Sequence, residues 1–563
     1  MRILILTHAF NSLTQRLYVE LSALGHELSV EFDINDTVTV EAVALFRPEL
    51  ILAPFLKRAI PEQIWREYVC LIVHPGIVGD RGPSALDWAI QEGERNWGVT
   101  VLQAEAEMDA GPVWATQSLP MRTVMKSSLY RNEVTEAAVA AVLAALQRWP
   151  DYRAGRWRPV PLSDHGDMRG RLRPPMRQAD RAIDWGRDGS AAVLARIHAA
   201  DGFPGVQDRL FGEDCRLFDI RAYAAIGTPG TVLGRAGEGV VRATTDGAIW
   251  IGHVRRGGDM PIKLPVALAY PETADLPELD AGPVDPIRYE EAGGVGYLHF
   301  DFYNGAMGTA ACKRLLAACR EARQRPTRVI VLMGGADFFS NGLDLKRIEA
   351  AVSPADESMR NIEAMDDLCR DVIESDSHLT VAVLQGNAGA GGAFLALAAD
   401  QVWARTGVVL NPHYKNMGNL YGSEYWSYLL PRRVGAAQAG AIMQNRLPLD
   451  SRAAQAIGFV DDSFGRGLAD FIAEVKRRAT ALAAAPDFDS RLAAKRTRRS
   501  NDERVKPLHA YRTEELAQMQ RNFYGFDPSY HVARHHFVHK TPHSWTPRHL
   551  ARHRDLGWQI PVS

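Results

Sequence analysis

The sequence predicts a multidomain α/β protein. Short apolar runs such as Arg2–Thr7 and Leu379–Leu384 have the length and composition of buried strands, and they alternate with stretches of helical periodicity. The chain of 563 residues has room for roughly two to four domains. Two charged, proline-bearing stretches, residues 152–175 and 272–286, divide it as linkers. A formal net charge of -2 argues against nucleic acid as the main partner. No apolar run approaches the length of a membrane span, and the N-terminus has the pattern of a first strand rather than of a cleavable signal. Cytoplasm is the default expectation.

Taken in order, Arg2–Thr7 is the first strand and residues 11–24 a helix entered through Asn11 and Ser12. Residues 28–32, 49–53 and 69–73 are further strands, with a helix over 61–68. Strands alternating with helices predict an open parallel sheet, whose ligands bind at the carboxyl ends of the strands. At those ends stand Thr7-His8, Pro54-Phe55-Leu56 and His74-Pro75-Gly76.

The stretch from His74 reads HPGIVGDRGP, and LDWAI, GE, GVT and MDAG follow in order from Leu86 to Gly111. This pattern resembles the folate-dependent formyltransferases, over residues 1–270. The resemblance implies a Rossmann-like formyltransferase domain over 1–165 that uses N10-formyl-tetrahydrofolate, with His74 as the catalytic histidine and Asp109 as the catalytic aspartate. Ile72 stands where the family carries an asparagine that helps hold the developing oxyanion, which counts against ordinary amine formylation. The base logic survives: Asp109 can set the state of His74, and His74 can manage the proton of an attacking group. The same resemblance gives Phe55, Leu56 and residues 105–109 the role of surrounding the pterin. Ser12 and Gln15, at the mouth of the sheet, are assigned to folate or acceptor, the alternative for Ser12 being that it only caps the helix.

Residues 139–146 form an alanine-rich helix. Beyond the first linker, Ile183-Asp-Trp185 and IHAADGFPG at 197–205 resemble the start of the formyltransferase C-terminal domain. That implies a small OB-like β-barrel over 176–272, with short strands at 229–233, 240–244 and 247–251. The segment is not notably basic, so its expected role is structural.

Val295–Phe300 opens the second half, followed by a helix over 309–323 and a strand over 329–333. Two glycine-bearing turns come next: GGADFFSNGLDL at 334–345 and QGNAGAGG at 385–392, the latter running into the helical FLALAA. A strand-to-helix turn rich in glycine lets backbone approach a ligand and aims free N–H groups at an oxyanion or phosphate. The spacing is not GxGxxG and no Walker lysine follows, so a nucleotide loop is not expected.

The two turns resemble those of the crotonase (enoyl-CoA hydratase/isomerase) superfamily. The resemblance implies a crotonase-fold α/β domain over 285–485, a coenzyme A thioester as ligand, and an oxyanion hole made by the N–H groups of Leu343 and Gly391. Gly342 and Asp344, in the first turn, are assigned to coenzyme binding. A hydratase carries two carboxylates whose places here fall at Phe394 and Tyr414, so hydration is not expected. Glu424, in YGSEYW, remains, with Tyr414 and Tyr421, as a polar group to face the thioester. Burial among Tyr421, Tyr425 and Trp426 would raise its pKa. The alternative is a Glu424 exposed at a helix start.

The helical tail, 486–563, is basic and rich in histidine. His535 and His539, and His549 and His553, are spaced to share a helix face, but no cysteine or acidic ligand accompanies them in sequence, so no metal is expected. The five cysteines form no CxxC pair, so neither a disulfide framework nor a zinc knuckle is expected. As a whole, the fusion with YGSEYW in its second half resembles the HypX/HoxX hydrogenase maturation proteins. That implies formyl transfer from N10-formyl-tetrahydrofolate to coenzyme A, then decarbonylation of formyl-CoA to carbon monoxide, a ligand of the [NiFe] hydrogenase iron. The implied partners are small-molecule substrates and a [NiFe] hydrogenase precursor or its maturation factors, with neither nucleic acid nor membrane. Two rivals stay open: an amine or sugar N-formyltransferase with a vestigial crotonase half, and a non-catalytic CoA-binding maturation scaffold.

Overall fold

The structure is a computed structural model that describes residues 1–166, 168–258 and 261–555. The chain divides into two compact units, Met1–Val284 joined by the segment from Pro542 onward, and Asp285–Thr541.

In the first unit, β1 (Arg2–Thr7), β2 (Glu27–Phe32), β3 (Leu50–Phe55), β4 (Cys70–His74), β5 (Asn96–Gln103) and β6 (Val113–Pro120) form a sheet of order β2-β1-β3-β4-β5-β6. β1 to β4 are parallel, whereas β5 runs antiparallel to β4 and β6 to β5. The sheet is therefore mixed where a parallel one was expected. A strand buried on both faces shows a continuous apolar run whichever way it points. The helix after β1 is Ser12–Ala23, and its cap is Asn11, whose side chain accepts from Thr14 N.

A second sheet follows, built of β7 (Val206–Leu210), β8 (Glu213–Tyr223), β9 (Val232–Ala236), β10 (Gly239–Ala243), β11 (Ala248–Arg256) and β12 (Lys263–Pro265). Its order is β7-β8-β11-β10-β9, with β12 on β11. Among the described residues no pairing joins β7 to β9, so the small OB-like barrel is open at that edge. Val193 and Ile197 of helix Ser190–Ala200 share one buried core with Leu217, Ile249 and Val254 of the sheet. The returning segment lies along β2: Val30 N donates to Leu550 O at 3.0 Å, and His553 bridges Ser29 Oγ at 2.7 Å and Glu31 Oε2 at 2.8 Å.

In the second unit, β13 (Ile287–Ala292), β14 (Val295–Phe300), β15 (Val329–Gly334), β17 (Leu379–Leu384), β19 (Gln401–Arg405) and β22 (Asp462–Phe464) form one sheet in that order. β16 (Phe338–Ser340), β18 (Asn387–Gly389), β20 (Val409–Asn411) and β21 (Leu449–Asp450) form a smaller one. The pairing of Phe338 with Asn387 and of Ser340 with Ala388 lays the two glycine turns side by side. Helices Leu468–Ala483, Phe488–Val505, Leu508–Tyr524 and Ser529–His539 follow. The segment expected as one tail thus divides: 486–541 belongs to the second unit, and the chain from Pro542 to the first. Residues 556–563 of that tail lie outside the described residues.

Two candidate active sites

His74 is the last residue of β4 and is buried. A Cβ on Gly76 would stand 2.3 Å from His74 Nε2 and 2.6 Å from Asp80 Oδ2, so the chain turns beneath the ring only as glycine. The imidazole lies between two carboxylates. Its Nε2 is 3.0 Å from Asp80 Oδ2, and its Nδ1 is 3.5 Å from Asp109 Oδ2. Asp109 adopts φ 54°, a conformation that aspartate tolerates better than most residues, and its Oδ2 accepts from Gly82 N at 3.1 Å. Asp80 Oδ1 lies 3.5 Å from Arg173 Nε. Whichever ring nitrogen takes a proton from an attacking group, a carboxylate stands in line to hold the resulting N–H. Gly79, Arg81, Glu107, Ala110 and Arg171, flanking Asp80 and Asp109, line a shallow cavity of about 310 Å³.

The structure thus brings His74 and Asp109 together and adds Asp80, to which the sequence reading gave no role. Its signal was its position in the GDRG stretch, six residues from His74. The other assigned positions lie at the mouth of β1 and β3. Phe55 ends β3, and its carbonyl accepts from His8 N at 2.6 Å and Thr7 Oγ1 at 3.2 Å. Gln15 Nε2 donates to Phe10 O at 2.8 Å, Ser12 is the first helical residue, and Leu56 packs partly buried against the core beside β3. Ile72 lies within β4, opposite Leu102 of β5.

In the second unit, Gly342 adopts φ 76°, and a Cβ there would stand 3.1 Å from Gly391 N. A Cβ on Gly392 would meet Ser340 O at 2.1 Å. Helix Gly391–Leu397 therefore starts in contact with the first turn. Neither Leu343 N nor Gly391 N has a hydrogen-bond partner among the described residues. Two such N–H groups from adjacent turns have the form of an oxyanion hole. Asp344 serves the backbone: its Oδ1 accepts from Lys346 N and Arg347 N and caps helix Leu345–Ala350.

Phe394 and Tyr414, at the places of a hydratase's carboxylates, stack with ring centroids 5.4 Å apart and planes at 14°. The Tyr414 ring lies over Gly422, where a Cβ would stand 2.1 Å from it and φ is 94°. Tyr414 Oη is 2.5 Å from Glu424 Oε2 and 3.0 Å from the Ser423 carbonyl. Glu424 is 0 % exposed, which excludes the exposed alternative. Its Oε1 is buried without a hydrogen-bond partner among the described residues, and a Cβ on Gly391 would meet that oxygen at 2.1 Å. The unpaired oxygen therefore lies against the oxyanion turn.

Glu424 and Tyr425 are consecutive left-handed residues, at φ 58° and 59°, each costing about 1–2 kcal/mol. Two buried carboxyls hold this turn. Asp366, from helix Pro354–Ile373, accepts from Glu424 N and Ser423 Oγ. Glu515, from helix Leu508–Tyr524, accepts from Tyr425 N, Ser427 N and Ser427 Oγ. Three carboxyls share one buried region, and burial raises all of them: Asp366 to about 7, against the hydrogen bonds from Glu424 N and Ser423 and the nearby Arg512, and Glu424 and Glu515 each to about 8, with the Asp366 charge as the next cause for both. The sequence reading anticipated a raised Glu424 from aromatic burial; the structure adds the Asp366 charge as the next cause. Burial and the adjacent Glu424 also hold the Tyr414 phenol well above its ordinary value. Tyr421 is half-buried and packs against Trp426.

Comparison with known proteins matches residues 30–146 to the formyl transferase family, 175–268 to the formyl transferase C-terminal domain, and 291–548 to the enoyl-CoA hydratase/isomerase family. A hydrogenase maturation factor HoxX of Bradyrhizobium diazoefficiens is 56% identical over 98% of this chain and 97% of its own. The crystal structure of HypX from Aquifex aeolicus in complex with tetrahydrofolic acid superposes with a TM-score of 0.95 at 47% identity, covering 100% of both chains. A methionyl-tRNA formyltransferase of Chloroflexus aurantiacus is 29% identical over 39% of this chain and 71% of its own.

Proposed function

The chain belongs to the HoxX/HypX hydrogenase maturation factors, and from that premise we propose that it makes carbon monoxide from N10-formyl-tetrahydrofolate and coenzyme A. The folate assignment rests on the formyl transferase match and on the tetrahydrofolic acid bound by the Aquifex relative. The coenzyme assignment rests on the enoyl-CoA hydratase/isomerase match and on the paired turns.

In the first step the CoA thiol gives its proton to His74, the sulfur attacks the formyl carbon, and the carbon–nitrogen bond breaks as N10 takes a proton back. Asp80 and Asp109 hold the ring while it carries that proton. A thiol is acidic enough to need no more than an imidazole base, so the proton transfer of this step stands although Ile72 replaces the family's asparagine.

In the second step formyl-CoA loses carbon monoxide. The N–H groups of Leu343 and Gly391 hold the formyl oxygen, and Glu424 Oε1 takes the formyl proton. The carbon–hydrogen electrons become the lone pair of CO, the carbon–sulfur electrons leave with the thiolate, and the thiolate is protonated; nothing is oxidised or reduced. Tyr414 serves Glu424 in both states. With Glu424 ionised, its phenol donates to the carboxylate. With Glu424 protonated on Oε1, its Oε2 still accepts from the phenol, and the Oε1 proton passes to the leaving thiolate, which restores the carboxylate.

The observation that carries this reading is Glu424 itself: fully buried, raised to about 8, with one oxygen on Tyr414 and the other unpaired against Gly391. Crotonyl-CoA is expected to remain unhydrated, because an aromatic stack fills the places of the hydratase carboxylates. The test incubates the full chain with formyl-tetrahydrofolate and CoA and assays the headspace for CO. Synthetic formyl-CoA then bypasses the folate step in Glu424→Gln and Tyr414→Phe. CO from wild type, with slower release by both variants, supports the reading; equal release by all three removes Glu424 and Tyr414 from the chemistry.

A further inference from the structure

Away from both sites, the second unit gathers three groups with ligating atoms: Glu349, His535 and His539, all within 4.8 Å of one another. Glu349 lies in helix Leu345–Ala350, and the two histidines lie in helix Ser529–His539. Their i,i+4 spacing puts both rings on one face of that helix. In the sequence this pair had no acidic companion; the fold supplies one from 186 residues away.

The donors converge on a single atom. His535 Nδ1 is 2.8 Å from Glu349 Oε1, and His539 Nε2 is 3.2 Å from the same oxygen. Ligands at about 2.0–2.2 Å from a tetrahedral zinc stand about 3.3 Å from one another, so these separations need to open by only a few tenths of an ångström. Glu349 Oε2 is engaged by Arg534 Nε at 2.7 Å, and Arg534 Nη1 in turn meets His531 Nδ1 at 2.8 Å. That contact leaves Oε1 as the free end of the carboxylate and aims it at the two rings, as outer partners of metal ligands do. The Arg534 charge opposes a dication and tempers its affinity. A neutral imidazole becomes a ligand by shifting its N–H to the other ring nitrogen, so no group need change its net charge. The His535 side chain is 42% exposed, which gives an ion a way in, while those of Glu349 and His539 are 10% and 12% exposed.

We propose that Glu349, His535 and His539 bind a divalent cation of the zinc class, with water completing a four-coordinate shell. Helix Leu345–Ala350 begins at its Asp344 cap, directly after Leu343. A cation here fixes that helix, and with it the end of the first glycine turn, to helix Ser529–His539. The site is a brace, since its ligands touch no reacting group.

The test uses the full chain, treated with chelator and titrated with Co²⁺ as a spectroscopic probe in place of Zn²⁺. The expected result is one cobalt per chain with the intense visible bands of low coordination, their bleaching by Zn²⁺, and a rise in Tm with either metal. His535→Ala removes the most exposed ligand and so spares the fold; it and Glu349→Gln should each weaken cobalt binding more than about tenfold. His549→Ala, from the other spaced pair, should leave binding unchanged. No binding, a spectrum no stronger than that of aqueous cobalt, or one unaltered by His535→Ala and Glu349→Gln overturns the proposal.

Discussion

Each candidate site keeps a titrating group out of water, and the two do so by opposite means. In the first unit the proposed base is the His74 ring, and the carboxyl groups of Asp80 and Asp109 flank it. In the second it is a carboxyl, Glu424, and the charges that bear on it are further carboxyls, Asp366 and Glu515. Opposite charges steady a ring that carries a proton briefly. Like charges, once buried, make a carboxylate a stronger base than it is in water. The difference matches the acids each would face. A thiol loses its proton readily, whereas a formyl hydrogen needs a base strengthened by its surroundings.

Crossed variants break this comparison most directly. Glu424→Gln is expected to slow CO release from formyl-CoA by about 10²–10⁴, the range for losing one proton-transfer group, while folate consumption persists. His74→Ala and Asp109→Asn are expected to do the reverse, stopping formyl-tetrahydrofolate consumption and leaving release from supplied formyl-CoA untouched. Following both reactions in all three variants is decisive. If Glu424→Gln also stopped folate consumption, or His74→Ala also stopped release from formyl-CoA, the two chemistries would not be separate.

A smaller effect sharpens the second half of the contrast. Glu515→Ala strips the acceptor from Tyr425 N, Ser427 N and Ser427 Oγ. Each buried donor left unpaired costs about 1–3 kcal/mol, and the left-handed pair at Glu424 and Tyr425 loses one of its two anchors. Calorimetry should show earlier melting, and CO release should fall, with folate consumption at wild-type rate once the protein is folded. Glu515→Gln retains acceptor oxygen and should recover most of both. An alanine variant as stable and as active as wild type would mean that the turn holds its shape without Glu515.

How legible each site was follows from the same difference. β14 and β17 have the expected bounds, and the turns after β15 and β17 were recognisable because glycine spacing is a local signal. His74 and Asp80 are six residues apart, so their relation lay within one short stretch. Glu424 stood out in YGSEYW, but nothing local points to Asp366 or Glu515, 58 and 90 residues from the N–H groups they hold. Helix Pro354–Ile373 has polar and apolar faces like many surface helices; only the fold shows that Asp366 is buried. Strand direction escaped as well, because burial writes the same apolar run into antiparallel β5 as into parallel β4. Glu349 joined its histidines by the same long-range route as Glu515.

The smallest expected effect tests the premise that burial raises the carboxyls around Glu424, even with Arg512 Nε 3.7 Å from Asp366 Oδ2. Asp366, Glu424 and Glu515 rise from 3.8, 4.5 and 4.5 to about 7, 8 and 8 in the folded chain. A folded-state pKa above the unfolded one means that the native state holds more protons between the two values. The stability these carboxyls give is complete below about pH 4 and is lost as pH rises through 7 to 8, at up to about 1.4 kcal/mol per pH unit for each extra proton held. The first unit carries no comparable cluster among its described residues. Hydrogen exchange resolved to helices Pro354–Ile373 and Leu508–Tyr524 should therefore quicken from about pH 6 to pH 8 beyond the intrinsic rate, while β1 to β4 keep their protection. Asp366→Asn still offers an oxygen to Ser423 Oγ and Glu424 N, removes one titrating partner and should flatten that slope. CO release from formyl-CoA should run the other way, rising toward a plateau above about pH 8 as Glu424 ionises. A second unit whose protection held or grew across this window would mean that its carboxyls titrate near their ordinary values, and Glu424 would then be too weak a base for the formyl proton.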